Sequence, residues 1–290
     1  MTWNEEDWKS LLRLIRRKQC TPFLGAGASA PTLPTGRQLA KKLVQEFKYP
    51  FQDETDLTRV AQWTLGRVSE IDLKGTVAAW LKEAGSVDAR DAAEPHRVLA
   101  SLGLPIYITT NFDDFMTRAL SRQERKPRRE VCQWHRARRR QRVPRFPKDY
   151  EPTRENPLVF HLHGTLDEPI GMVLTEDDYL DFLIYVDALI PPCVEQAFSD
   201  SCILFLGYSL NDMSLKVLFR KLASYHSRGG WTHLAVQLDP ADEEEPGADL
   251  ERKREYLEDQ YRLRGIRVFW GSSKAFAAQL LERWEALPHD

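Results

Sequence analysis

The chain has 290 residues, of which 42% are hydrophobic and 29% are charged, a composition typical of globular proteins that excludes collagen-like and disordered chains. This length is compatible with two domains or with one large α/β domain that carries an insertion. The net charge of −2 points to neither nucleic acid nor a membrane as a partner, although it conceals a net +11 over residues 118–148 and a net −13 over the remainder.

The cysteines and the N-terminal segment exclude further classes of protein. Cys20, Cys132, Cys193 and Cys202 stand singly, without the close pairs that a structural zinc site uses. Residues 1–19 have the pattern of an amphipathic helix rather than of a signal peptide, and no apolar run reaches the length of about eighteen residues that a membrane span needs. We therefore expect a cytoplasmic protein with reduced thiols and no metal site.

Short apolar runs alternate with helical periodicity along the chain, which is the pattern of a parallel sheet covered by helices. The predicted core strands are residues 21–24, 106–109, 159–162, 203–206, 234–238 and 266–270. About six strands of this kind predict a Rossmann-like, doubly wound α/β fold without a zinc ribbon. An N-terminal helix at 1–19 would precede a single domain at 20–290.

The gap between the first two strands predicts a helical insertion at about residues 37–100. The gap is about eighty residues long, whereas one crossover helix needs little more than about ten to twelve. Helical patterns fill 36–47 and 56–84, and a shorter one covers 96–102. Farther along, residues 118–152 are rich in Arg and Pro and predict an irregular basic excursion, with room for one edge strand near 131–134. An acidic loop at 239–249 and a helix at 250–263 follow.

A turn of small residues follows the first strand and is the clearest local motif. It consists of Gly25, Ala26, Gly27, Ala28 and Ser29. Glycines allow a phosphate to approach backbone N–H groups, and the start of the next helix favours negative charge. The third glycine of the usual dinucleotide fingerprint is missing, so these residues are also compatible with a tight strand-to-helix turn that binds nothing.

Polar side chains follow the second and fourth strands as well. Asn111 and Asp113 come after the second strand, and Gly207, Ser209 and Asn211 come after the fourth. Ligands of open parallel sheets bind at the carboxyl ends of the strands, so these residues are candidates for the same crevice as the glycine turn. The alternative is that they only cap a helix and bind no ligand. The residues suited to capping the helix that follows them are Asp113, Asp114, Ser209 and Asn211.

The third strand ends in two histidines, His161 and His163. Strand alternation places both on one face, but only His163 lies at the carboxyl end, where the crevice should open. A neutral imidazole titrates near neutrality and can accept a proton from a ribose hydroxyl or a water. We therefore expect His163 to be functional and His161 to orient or pack.

Four motifs in this order resemble the Sir2-like (sirtuin) superfamily, and specifically its bacterial NADase branch of the antiphage-defence effector type. They are FLGAGAS at 23–29, ITTNFDD at 108–114, FHLHG at 160–164 and LFLGYSLND at 204–212. The chain departs from the protein-deacetylating sirtuins in three ways, one of which is Thr110 before Asn111 where those enzymes have Thr-Gln-Asn-Ile-Asp. It also lacks their two cysteine pairs for zinc, and residues 31–37 read PTLPTGR where those enzymes carry a Gly-Ile-Pro-Asp-Phe-Arg run.

The resemblance implies an NAD+ glycohydrolase that cleaves the nicotinamide–ribose bond with water, needs no metal and depletes NAD in antiphage defence. Carried over position by position, it implies that Asn111 holds the nicotinamide ribose or the attacking water and that His163 is the general base. The implied NAD-binding residues are Gly25, Ala26, Gly27, Ser29, Thr110, Asp113, Gly207 and Ser209.

The sequence is also compatible with two other functions. The first is an NAD-dependent protein deacylase, which the missing cysteine pairs disfavour. The second is a non-catalytic nucleotide-binding or assembly subunit of a defence complex, in which Asn111 and His163 would be vestigial. Expected partners are NAD+, further copies of the chain and a defence-system ATPase or nucleic-acid sensor. The basic segment 118–148 is either their docking site or a solvated loop that pairs with the acidic remainder of the chain.

Overall fold

Seven parallel strands form one sheet in the computed structural model, which describes residues 3–30, 32–88, 90–135, 150–208, 217, 232–238 and 250–288. The strands are β1 (Cys20–Leu24), β2 (Ile106–Thr109), β3 (Arg128–Val131), β4 (Leu158–His161), β5 (Cys202–Leu206), β6 (His233–Gln237) and β7 (Ile266–Trp270). Their order in the sheet is β3-β4-β2-β1-β5-β6-β7. The predicted α/β class with a parallel sheet is confirmed.

The sheet has one strand more than the six predicted, and that strand is β3 at its edge. It lies at Arg128–Val131, slightly before the edge strand expected near 131–134, and pairs only with β4. All four of its residues are half-buried and three of them are charged. A strand of this kind carries little of the apolar signal by which the six core strands are recognised.

The helices in the described ranges fill the connections between the strands. They are α1 (Glu5–Arg16), α2 (Gly36–Phe47), α3 (Leu57–Leu65), α4 (Glu70–Glu83), α5 (Pro95–Ser101), α6 (Phe115–Arg122), α7 (Glu176–Leu189), α8 (Pro192–Asp200), α9 (Leu250–Arg262) and α10 (Ser273–Glu285). The continuous helical pattern predicted at 56–84 is two helices, because α3 ends at Gly66 and α4 starts with its own N-cap, Ser69. Within the described residues, no helix is both long and apolar enough to cross a membrane.

Both faces of the sheet are buried, and alternate residues of each core strand supply them. On β5, Leu204 and Leu206 belong to a cluster with α1, α5, α6 and α10, whereas Ile203 and Phe205 belong to a second cluster with α7, α8 and α9. Helices on both faces explain why the core strands read as continuous apolar runs rather than as alternating ones. A third cluster lies between α2, α3 and α4 and includes Met172 from the chain after β4.

The sheet order places the change of winding direction at the centre of the sheet. From β1 the chain continues to β2 on one side, and β5 pairs with the other side of β1. In open parallel sheets this is where the loops after neighbouring strands separate and a ligand crevice forms. The residues after β1, β2 and β5 are therefore the ones that the fold brings to the expected site.

Candidate functional site

A buried network of hydrogen bonds joins the residues after β1 to those after β2. The side-chain amide of Asn111 donates to the Gly25 carbonyl and to Ser29 Oγ, both at 3.0 Å, and Ser29 Oγ donates to Asp113 Oδ2 at 2.9 Å. Both hydrogens of the amide nitrogen are thus used, while Oδ1 has no partner among the described residues. The network fixes the orientation of Asn111 and leaves its oxygen available as an acceptor.

The local sequence explains how Asn111 reaches this place. Thr109 is the last residue of β2, and its hydroxyl donates to the Leu24 carbonyl at 3.2 Å and accepts from the N–H of Asn111 at 2.9 Å. The N–H of Thr110 also donates to the Leu24 carbonyl, at 3.0 Å. The turn after β2 is therefore held to the end of β1 by its own threonines, and this brings Asn111 to the glycine turn.

Asp113 fulfils the two roles that the sequence left open. Its Oδ1 accepts from the N–H of Phe115, the first residue of α6, at 3.0 Å, and its Oδ2 accepts from Ser29. The side chain of Asp114 makes no capping bond to α6 and lies 2.8 Å from Arg118 Nε instead. Asp113 therefore caps the helix and belongs to the network of Asn111.

The glycine turn packs against the residues after β5, as the sequence suggests, but its N–H groups face protein carbonyls. The N–H groups of Gly25 and Gly27 donate to the carbonyls of Leu206 and Gly207 at 2.9 and 2.8 Å. Gly207 has φ +82°, and a Cβ at that position would collide with the backbone nitrogen of Ala28. Of the turn, Ala26 is the exposed residue and the one whose N–H has no partner among the described residues. The binding of a diphosphate by this turn stays a prediction.

Tyr208 and Gln237, which no sequence motif singled out, also contribute to the site. The Tyr208 hydroxyl donates to the Leu24 carbonyl at 2.9 Å and lies 2.6 Å from Thr110 Oγ1, so that it joins the ends of β1, β2 and β5. The side chain of Gln237, at the end of β6, donates to the Tyr208 carbonyl at 2.6 Å. The position of Tyr208 directly after Gly207 was the available signal. Ser209 and Asn211 lie outside the described residues.

His161, the last residue of β4, and His163, two residues later, have different surroundings, although strand alternation predicts that they share a face. His161 Nδ1 donates to the backbone carbonyl of Asn111 at 3.1 Å. The strand ends at His161, and the ring of His163 packs edge-on against Phe182 of α7, with a centroid distance of 4.9 Å. Among the described residues no hydrogen bond joins His163 to the side chain of Asn111.

Burial keeps both imidazoles uncharged. Desolvation lowers the pKa of His161 to about 4 and that of His163 to about 3, and the Arg129 guanidinium adds to the effect at His161. The Nε2 atoms of both rings are buried and have no hydrogen-bond partner among the described residues. A buried polar atom without a partner is energetically costly.

An open cleft of about 360 Å³ borders the network on the side of the helical insertion. Phe112 and Asp113 line it from the chain after β2, Lys82 from the end of α4, and Arg129 from β3. The cleft therefore gives solvent a route to Asp113 between the insertion and the sheet. In the described ranges, no three His, Cys, Asp or Glu side chains come close enough together to hold a metal ion.

Sequence comparisons relate the chain to known proteins. The family model described as "SIR2-like domain" matches residues 105–266, a range that contains Asn111, Asp113 and His163 and begins after the glycine turn. The protein named NAD(+) hydrolase ThsA from Acinetobacter baumannii (strain 532279) is 26% identical over 219 residues, which cover 74% of this chain and 41% of that protein. The protein of the same name from Bacillus cereus (strain MSX-D12) is 26% identical over 265 residues, which cover 85% and 50%.

The chain spans half or less of the length of the curated relatives it matches. In a structural comparison, the chain is similar to one from work on the structural basis for the mechanism and regulation of Sir2 enzymes. The alignment covers 97% of this chain and 98% of that chain, at 12% identity and a TM-score of 0.40.

Proposed function

The chain belongs to the SIR2-like family, and on that premise we propose that it is an NAD+ glycohydrolase that releases nicotinamide and ADP-ribose. The observation that carries the proposal is the buried network of Gly25, Ser29, Asn111 and Asp113, which lies beside the point where the sheet changes its winding direction. The relatives named NAD(+) hydrolase support the same substrate.

The residues present fit an NAD molecule at this place in two respects. The Asn111 oxygen is left without a partner among the described residues, and the cleft beside Asp113 offers a volume of about 360 Å³. The close packing of Gly25 and Gly27 on Gly207 leaves only the N–H of Ala26 for a phosphate. We therefore propose that the diphosphate lies along the start of the turn, at Ala26, rather than in an open glycine cradle.

The chemistry requires orientation more than activation. In the hydrolysis, a water oxygen bonds to C1′ of the nicotinamide ribose as the C1′–N bond breaks, and the electron pair of that bond goes to the departing neutral nicotinamide. Asn111 Oδ1 would accept a hydrogen bond from the ribose or from the water, and its fixed orientation means that little has to reorganise. His163, neutral at pH 7, would receive the proton that the water loses.

His163 has to gain access to the water for this step. In the structure its Nε2 is buried beside α7 and has no partner among the described residues. We propose that the helix α7 shifts when the substrate binds or when the chain assembles, so that the imidazole faces Asn111. The same shift would raise the pKa of His163 toward its ordinary value, because it removes the desolvation that lowers it.

Incubation of the purified chain with NAD+, followed by chromatography for nicotinamide and ADP-ribose, tests the proposal. Release of both products without any acyl-peptide is the expected result. Turnover only in the presence of an acyl-lysine peptide would instead establish a deacylase, and tight NAD+ binding without turnover would establish a non-catalytic subunit. Because a shift of α7 upon assembly is part of the proposal, the assay is run across a range of protein concentrations.

We further propose that the chain is a cytoplasmic, NAD-depleting effector of bacterial antiphage defence and forms one Sir2-like domain. It would act together with other copies of itself, or with a defence-system ATPase or nucleic-acid sensor. The proposed docking site is the basic segment 118–148, whose residues 136–148 lie outside the described residues. Changing Arg138, Arg139 and Arg140 to Glu should abolish assembly or activation, measured by native mass and NAD+ consumption. Unchanged assembly and activation would remove the segment from the proposal.

A further inference from the structure

The loop that carries His163 lies on a short turn of the chain at Ile170 and Gly171. Gly164, which has φ +90°, is packed so closely on this turn that a Cβ would collide with the Gly171 carbonyl. Two residues farther on, the N–H of Val173 donates to the carbonyl of His163 at 2.8 Å. The position of the imidazole therefore depends on where the turn at 170–171 lies.

Two side chains from distant parts of the chain hold that turn by its two carbonyls. The indole Nε1 of Trp134 donates to the Gly171 carbonyl at 2.9 Å, and the ammonium of Lys74 donates to the Ile170 carbonyl at 3.2 Å. Trp134 follows β3 and Lys74 lies in α4, the last long helix of the insertion. The two side chains also contact each other, because the Lys74 ammonium lies 5.3 Å from the centre of the indole ring.

Lys74 is fixed in turn by carboxylates, one of which belongs to the helix that covers His163. Its side chain is fully buried, 2.9 Å from Asp178 Oδ1 and 2.7 Å from Glu70 Oε1. Asp178 lies in the first turn of α7 and accepts from the N–H groups of Leu174 and Thr175. The helix α7 also carries Phe182, which packs on the His163 ring. Lys74 therefore binds both of the elements that contact His163 and its loop, the turn at 170–171 and α7.

A buried ion pair of this kind is a poor source of stability, because the desolvation of the two charges offsets most of their attraction. The ion pair contributes instead by fixing the positions of the groups around it, because an ammonium with three directed hydrogen-bond partners permits few arrangements of them. We infer that Trp134 and Lys74 are positioning residues that set the place of the His163 imidazole by holding the turn at 170–171. The inference rests on the proposed function for the step that His163 performs.

The variant Trp134→Phe tests the inference, because it retains an aromatic ring and removes only the N–H donor. We expect kcat for NAD+ hydrolysis to fall at least about tenfold while KM changes less than about twofold, as for a group that acts only on the reacting geometry. In a His163→Gln background, the same change should lower the residual rate no further, because neighbouring groups that act as one unit are not additive. The matched control is Trp284→Phe, whose ring packs on the first core cluster, and it should behave as the wild type.

A second measurement does not depend on activity. Diethylpyrocarbonate acylates accessible imidazole nitrogens, and the buried Nε2 of His163 should react slowly in the wild type. Peptide mass mapping should show a several-fold faster modification of His163 in Trp134→Phe and an unchanged rate in Trp284→Phe. The variant Lys74→Met should give the same result, provided that its circular dichroism spectrum is that of the folded wild type.

The outcomes separate this inference from the proposed function. An unchanged kcat and an unchanged His163 modification rate in Trp134→Phe would overturn the positioning role, as would an equal loss of rate in the wild-type and His163→Gln backgrounds. A wild-type chain that releases no nicotinamide would overturn the proposed function alone. In that case the modification rates of His163 still decide whether Trp134 and Lys74 position it.

Discussion

Asn111 Nδ2 and Ser29 Oγ lie 3.0 Å apart, although 82 residues of sequence separate the two side chains. The bond connects the turn after β2 to the turn after β1, and Ser29 Oγ in turn donates a hydrogen bond to Asp113. Because all three residues are buried, a change at one of them leaves a polar partner unsatisfied at the others. The effects of substitutions in the network should therefore extend beyond the altered side chain.

Replacement of Asn111 by Asp should abolish NAD+ hydrolysis, with a loss of at least about 100-fold in kcat. A carboxylate cannot donate to the Gly25 carbonyl, and it places a negative charge beside Ser29 and Asp113. The unpaired groups should also lower the free energy of unfolding by about 1–3 kcal/mol in a urea titration. The control Asn156→Asp changes an exposed side chain in a turn and should leave both quantities unchanged. More than half of the wild-type rate in Asn111→Asp would contradict the assignment.

His163→Gln and His161→Gln should have different consequences, because the two imidazoles have different neighbours. His163→Gln removes the proposed base and should lower kcat by about 100-fold or more, whereas His161→Gln should retain most of the activity. The initial rate of nicotinamide release at saturating NAD+ measures both. Equal losses in the two variants would mean that the histidines act through packing rather than through proton transfer.

The buried histidines should make the folded chain less stable in acid. Their pKa values in the folded state, about 4 and about 3, lie below the ordinary value of 6.5, so the unfolded chain binds more protons. The stability is present above pH 6.5 and is lost as the pH falls from about 6.5 toward 4, by about 1.4 kcal/mol per pH unit for each histidine. Urea titrations at pH 7, 6 and 5 should show a shallower pH dependence in His161→Gln. An identical slope in that variant would show that His161 is not buried in its neutral form.

Gly207→Ala should destabilise the chain severely, by at least about 2 kcal/mol, because its positive φ and its contact with Ala28 both exclude a Cβ. The matched control is Gly75→Ala in α4, where a Cβ would meet no atom within 4 Å. The free energy of unfolding of Gly75→Ala should exceed that of the wild type by about 0.5–1 kcal/mol, since alanine is a better helix former than glycine. Thermal unfolding by circular dichroism compares the two, and a similar melting temperature for both variants would refute the close packing of Gly207.

The six core strands and the long helices could be predicted from the sequence, because burial on both sides leaves a continuous apolar run in each strand. The same run ends abruptly in polar or glycine residues, and this pattern alone marks Gly25, Asn111, His163 and Gly207. The edge strand β3 and the break between α3 and α4 left weaker signals. In β3 the reason is that half-buried charged residues do not form an apolar pattern.

What only the tertiary structure decided is which of these residues meet. The sequence determined that the polar residues stand at the carboxyl ends of strands, since that is a property of each segment and its neighbours in the chain. It did not determine that the N–H groups of the glycine turn face the chain after β5, that His163 lies against α7, or that Trp134 and Lys74 hold the turn beneath it. These relationships depend on contacts between segments tens to more than a hundred residues apart, and such contacts are set by the packing of whole elements rather than by any local pattern.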